Sequence, residues 1–178
     1  MTTANKYIDH LIKTEAGRDH IFKHCLDMFN HNPVNILEIG AARDLSDQAR
    51  FGDGWSSIFW ARYIEQYGGR LDIIDIDNQA LENCKKLVYG INAKINFLND
   101  DAYNHISDST YDLIYLDGSD DPQEMLRQFN KIDRTQAVIL CDDFNSKGSA
   151  LRLEYPIFDL FYLTGSRFEM AVYNKVSS

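Results

Sequence analysis

Carboxylates recur in this chain at one kind of place, just after a run of apolar residues. Glu38 closes "NILE", Asp75 and Asp77 close "RLDIIDID", and Asp100 with Asp101 close "AKINFLNDD". Asp117 closes "YDLIYLD", and Asp142 with Asp143 close "QAVILCDD". Like charges gathered at one rim repel each other and lose hydration as they approach. Such a set suits a ligand that is cationic or rich in hydroxyls. A plainer reading is local: Asp favours loop starts and helix caps, and Asp77 and Asp121 fit that role. Position favours the ligand reading for the set, because open α/β sheets bind ligands at the carboxyl ends of their strands.

The first of these runs ends in Glu38-Ile39-Gly40, where a dinucleotide-binding unit places its glycine turn. The next glycines, Gly52 and Gly54, arrive only after "AARDLSDQARF". A pyrophosphate is held by a compact glycine turn and a helix N-terminus, and a carboxylate there repels it. NAD is therefore the poorer fit. A cationic ligand suits Glu38 better. Residues 41–51 read as an insertion over the crevice, with Arg43 and Arg50 inside it as candidate substrate contacts.

The elements that must position these residues alternate. Residues 4–30 keep apolar residues at helical spacing, with Gly17 as a break. Pro33 introduces the first strand. A helix from Trp55 to Tyr67 stops at Gly68-Gly69, and "NQALENCKKLVYG" has a helical inward stripe of Leu81, Cys84, Leu87 and Val88. Asp121-Pro122-Gln123-Glu124 reads as a helix start with a cap, a proline at the first position and a capping-box glutamate. "IFDLFYL" and "RFEMAVYNKV" read as an antiparallel hairpin. The whole predicts one domain over 1–178, a helical segment 1–32 followed by an α/β core 33–178.

Composition narrows the partners. A net charge of −9 argues against a nucleic-acid or anionic-membrane surface. No apolar stretch reaches the length of a membrane span and the N-terminus lacks a signal-peptide pattern, so the expectation is a soluble cytoplasmic protein. Cys25, Cys84 and Cys141 are scattered over apolar segments and read as reduced core residues. His20 and His24 stand four apart, but with no third ligand nearby they read as a polar helix face. The aromatic-rich "YPIFDLFYL" is a candidate edge or self-association surface, and so a candidate homo-oligomer contact.

From "ILEIG" to "FEMAVYNK" the chain resembles the class I S-adenosylmethionine-dependent methyltransferases. The resemblance implies a Rossmann-like fold: a seven-stranded, mostly parallel sheet with an antiparallel last strand and helices on both faces. It rests on four motifs in order: Glu38-Ile39-Gly40, Asp75 in "IIDID", Asp101-Ala102 in "NDDAY", and Asp117 in "YLDG". It implies that Asp75 binds the ribose hydroxyls, that Asp101 and Ala102 lie beside the adenine, and that Asp117 faces the methionine end. "GDGWSS" resembles the family's helix start, which implies that Gly52, Gly54 and Ser56 hold the cofactor's amino-acid end, and the resemblance makes Glu38, Gly40 and Ala41 cofactor-binding residues as well. The activity implied is methyl transfer to a hydroxyl of a small molecule. The alternatives are a catalytically silent S-adenosylmethionine-binding domain or partner subunit, and an NAD-dependent dehydrogenase, which Glu38 opposes.

A narrower resemblance is to metal-dependent small-molecule O-methyltransferases, which present one Asp after the fourth strand and a pair after the fifth. It implies Mg²⁺ on Asp117, Asp142 and Asp143, where hard oxygen ligands would suit it and the ion would lower a hydroxyl's pKa. The other reading has Asp142 and Asp143 capping the next turn, aided by Asn145 and Ser146. Asp120 is the candidate general base, standing where relatives carry His or Asp. It could equally be a solvated loop acid.

Overall fold

The computed structural model describes residues 18–46, 55–107, 110–154, 159–162 and 169–173. Helix α1 is Arg18–Asp27, so the rest of the helical segment expected over 4–30 falls partly outside the described residues. Strand β1 (Val34–Ile39), helix α2 (Ser56–Tyr67), strand β2 (Gly69–Asp75) and helix α3 (Asn78–Leu87) follow. Then come β3 (Ile95–Asn99), a 3₁₀ turn at Ala102–Asn104, β4 (Leu113–Leu116), α4 (Pro122–Lys131) and β5 (Val138–Cys141). Helix α5 (Ser149–Glu154), β6 (Asp159–Tyr162) and β7 (Glu169–Tyr173) complete the order. Helix α5 has no counterpart among the sequence expectations; at six residues it is too short for apolar periodicity to register.

The strands form one sheet in the order β3-β2-β1-β4-β5-β7-β6. The first five are parallel, while β7 runs antiparallel to both β5 and β6, the latter at the sheet edge. Alternation along the strands sends side chains to two cores. Ile36, Leu71, Ile73, Leu113, Tyr115 and Leu140 meet α1, α2 and α3 on one face. Leu37, Ile39, Ile74, Ile114, Leu116 and Ile139 meet Met125 and Phe129 of α4 and Leu151 of α5 on the other. Helices therefore cover both faces, as parallel strands require. All three cysteines are free and buried. No helix among the described residues is long and apolar enough to cross a membrane.

Register decides where the carboxylates go. Ile39 pairs with Ile74 and with Leu116, and Leu116 pairs with Cys141. The next residue of each strand, Gly40, Asp75, Asp117 and Asp142, must therefore emerge on one line. Backbone bonds extend the ladder one step: Gly40 N–H to Ile74 O, Asp117 N–H to Ile39 O, and Asp142 N–H to Leu116 O. The turn from α2 into β2 passes so close to β1 that a Cβ on Gly69 would lie 1.9 Å from the Val34 carbonyl oxygen. With φ at 108°, only glycine fits there.

Helix α4 starts as expected at Asp121, whose side chain accepts the Gln123 N–H at 2.9 Å, with Pro122 in the first turn. The capping box does not form. Glu124 turns instead to Arg127 and Gln128, and the Asp121 N–H is met by the Ser119 hydroxyl at 3.1 Å. An arginine three residues on outcompetes a backbone amide for the carboxylate.

Candidate functional site

A crevice of about 230 Å³ opens at the carboxyl ends of β1, β2 and β4. Gly40, Asp75, Asp101 and Ala102, four of the residues singled out in the sequence, line it together with Gly118, Ser119, Glu124, Arg127 and Gln128. Gly40 has φ at 97°, and a Cβ there would stand 2.8 Å from the Asp117 carbonyl oxygen. Glycine is required there because the backbone leaving β1 runs against the backbone leaving β4.

On the β2 side, Asp75 accepts the Ala41 N–H and the Asp77 N–H, both at 2.8 Å, one on each oxygen. Each carboxylate oxygen keeps a second lone pair for a hydroxyl donor. Asp77 itself caps α3, as its plainer reading had it. Next to it, Asp101 accepts the Tyr103 N–H at 2.9 Å and lies 3.6 Å from Arg127. The Arg127 guanidinium stacks 4.0 Å over the Tyr103 ring while forking onto Glu124. Hydrogen bonds from His105, Asn104 and the Asp101 amide hold the Asp100 carboxyl below its ordinary value.

Glu38 and Ser56 are bonded to each other and are not among the residues that line this crevice. Glu38 is 1% exposed and faces the α2 layer, not the crevice. The Ser56 hydroxyl donates to one of its oxygens and the Ser57 hydroxyl to the other at 2.7 Å. Burial pushes the Glu38 carboxyl up to about 8 against these two bonds, with Asp117 adding repulsion. Trp55 gives α2 no side-chain cap. Glu38 and the two serines instead anchor the first turn of α2 to the strand end. The insertion begins equally fixed: Ala42 N–H points at Cys84 Sγ at 3.1 Å, and Asn83 donates to the Arg43 carbonyl at 2.9 Å. Arg50, Gly52 and Gly54 lie outside the described residues.

At the β4–β5 end the acids do converge, and they converge on a lysine. Lys147, 7% exposed, donates to Asp117 Oδ1 at 2.7 Å and lies 3.4 Å from Asp143 and 3.5 Å from Asp120. Burial opposes its charge, but Asp117 first, then Asp143 and Asp142, outweigh burial and raise its pKa. Asp142, wholly buried, takes the Tyr115 hydroxyl at 2.7 Å on one oxygen and the Asp143 N–H at 2.8 Å on the other. The expected Mg²⁺ set is thereby corrected. Asp142 is wholly buried on its protein donors, and an ammonium stands among the others. Among the described residues no three His, Cys, Asp or Glu side chains form a group that could hold a metal ion. The turn-cap reading holds in part, since Ser146 donates to the Asp143 carbonyl. Lys147 was legible only as a cation four residues after Asp143, a spacing that needs a known turn to be informative.

No protein-family model matches the chain, and no curated protein is similar to it. Solved structures are. An S-adenosylmethionine-dependent O-methyltransferase from Thermotoga maritima superposes with a TM-score of 0.62 at 11% identity, covering 99% of this chain and 72% of that one. An RNA methyltransferase from Salinibacter ruber, solved with S-adenosyl-L-homocysteine, gives 0.56 at 15% identity over 89% of this chain and 92% of its own. Human methyltransferase-like protein 13, also solved with S-adenosylhomocysteine, gives 0.56 at 15% identity over 86% and 79%. The fold is the Rossmann-like fold of the class I methyltransferases.

Proposed function

We propose that this chain is an S-adenosylmethionine-dependent methyltransferase acting on a hydroxyl of a small molecule. The observation that carries the reading is the crevice itself. Gly40, Asp75, Asp101 and Ala102 meet at the strand ends, in a fold whose solved examples hold S-adenosylhomocysteine. The donor set suits that cofactor: the bare backbone of Gly40, a carboxylate with lone pairs to spare at Asp75, and a second acid at Asp101. When bound, S-adenosylmethionine supplies an activated methyl group on a sulfonium.

The chain's own residues divide the remaining work. Asp75 receives the ribose hydroxyls, and Asp101 with the adjacent Ala102 backbone borders the adenine. Asp117 stands between the cofactor end and the acceptor end, its carboxylate directed by Lys147. Asp120, its side chain 80% exposed, is the carboxylate with access to an incoming hydroxyl and takes its proton. Mg²⁺ has no part in this reading, because Lys147 stands where such an ion would sit. An acidic rim on a chain of net charge −9 disfavours a polyanionic acceptor such as RNA, which supports a small molecule.

Calorimetry tests the cofactor half. S-adenosylhomocysteine should bind with micromolar affinity, about −8 kcal/mol. Asp75→Ala should weaken it by about 1.5–3 kcal/mol, the range for hydrogen bonds to a charged group. Unchanged affinity in a folded variant would remove Asp75 from the site.

A further inference from the structure

We propose that Lys147 is the resident cation of the acceptor end, holding Asp117, Asp120 and Asp143 in place by its own ammonium instead of through a metal ion. The name "acceptor end" rests on the function proposed above. The ion balance rests on the cluster alone.

Donor count comes first. An ammonium carries three N–H groups, and three carboxylates lie within 4 Å of this one: Asp117 at 2.7 Å, Asp143 at 3.4 Å and Asp120 at 3.5 Å. Its hydrogen bond goes to Asp117, and Asp143 and Asp120 are held at ion-pair distance. Lys147 is therefore a positioning residue that acts through the carboxylates it holds. It draws together the loop after β4, which carries Asp117 and Asp120, and the turn after β5, which carries Asp143.

The turn is built to deliver it. Asp143 sits at φ 46°, a left-handed conformation that Asp tolerates better than most residues. Its carbonyl accepts the Ser146 N–H at 2.9 Å and the Lys147 N–H at 2.8 Å, which doubles the chain back toward β4. Phe144 is buried beneath, and Gly148 makes room for it: a Cβ on Gly148 would lie 2.0 Å from that ring. The residue after Lys147 is thus pressed against the Phe144 ring where only glycine fits. A divalent ion asks for about six oxygens around a point the ammonium already fills. Two cations cannot share that point.

The probe is Mn²⁺, with the full chain. Wild-type protein should leave the six-line spectrum of free Mn²⁺ unchanged, and its affinity for S-adenosylhomocysteine should be the same in EDTA and in millimolar Mn²⁺. Lys147→Ala and Lys147→Ser, which vacate the point and keep every carboxylate, should gain Mn²⁺ binding and a Mn²⁺-dependent rise in melting temperature. Lys147→Arg, which keeps the charge, should gain neither. A merely structural lysine would not yield to a metal in this way. If the small variants do not fold alone, their recovery on refolding in Mn²⁺ is the readout, and no recovery counts against the proposal. Wild-type binding of Mn²⁺ that Asp117→Asn abolishes would overturn it, as would a folded Lys147→Ala blind to the ion. A chain that binds no S-adenosyl compound would defeat the proposed function and leave the Mn²⁺ result standing.

Discussion

Two acidic sites lie a strand apart at the same rim, and they solve one problem in opposite ways. Glu38 ends β1 on the α2 side. It is buried with two serine hydroxyls and, among the described residues, no cation, and its carboxyl is raised to about 8. Asp117, Asp142 and Asp143 end β4 and β5. They are given a lysine, a phenol and backbone amides. Desolvation dominates where only neutral donors are offered, and the acid holds its proton. Where a full charge is offered, ionised carboxylates can be kept out of water. Strand ends of similar composition thus become a neutral anchor in one place and a charged cluster in the other. The pairing of charges, not their count, separates them.

The sharpest way to break that contrast is to remove the cation. Lys147→Ala in metal-free buffer should cost about 3–5 kcal/mol by urea denaturation, because it removes the buried ammonium that balances Asp117 and Asp143. A loss below 1 kcal/mol would mean that water already balances the cluster. Tyr115→Phe is next. It deletes the phenol bonded to Asp142 at 2.7 Å and should cost about 1.5–3 kcal/mol, the range for a bond to a charged group. The same loss on an Asp142→Asn background would show that charge is not what Tyr115 serves.

The effect that sharpens the contrast most shows only as a dependence on pH. A folded-state pKa raised to about 8 means that native Glu38 binds its proton more tightly than the unfolded chain does. Its contribution to stability is full below the ordinary carboxyl range and declines as pH rises toward about 8, by at most about 1.4 kcal/mol per unit. Glu38→Gln should remove that part of the slope and change little at acidic pH. Parallel pH profiles for wild type and variant would place an ionised carboxylate beside the two serines.

The order of strands and helices was readable because apolar runs and glycine turns are local signals. The crevice was readable because strand ends fall in register, so that Gly40, Asp75, Asp101 and Ala102 could be assigned from position. Side-chain direction was not. Whether Glu38 faces the ligand or the α2 layer depends on strand parity and on what the other face supplies, and Ser57 gave no sign of its role. Lys147 failed to register for a different reason. A cation matters through its distance from residues on another strand, here Asp117, thirty positions away. The missed capping box belongs with these: Glu124 had two possible partners, and only packing chose between them.

Tyr115 joins parts of the molecule that would otherwise have no business with each other. Its ring is wedged edge-on against Phe22 of α1 at 5.6 Å and Trp60 of α2 at 5.8 Å, while its hydroxyl grips Asp142 at the rim. One stiff side chain therefore works as a strut from the N-terminal helix to the acidic cluster. Its footing is set by Phe22 and Trp60, neither of which lines the crevice. Anyone re-engineering the acceptor end inherits α1 as part of the design, and a change at Phe22 is a change at the rim.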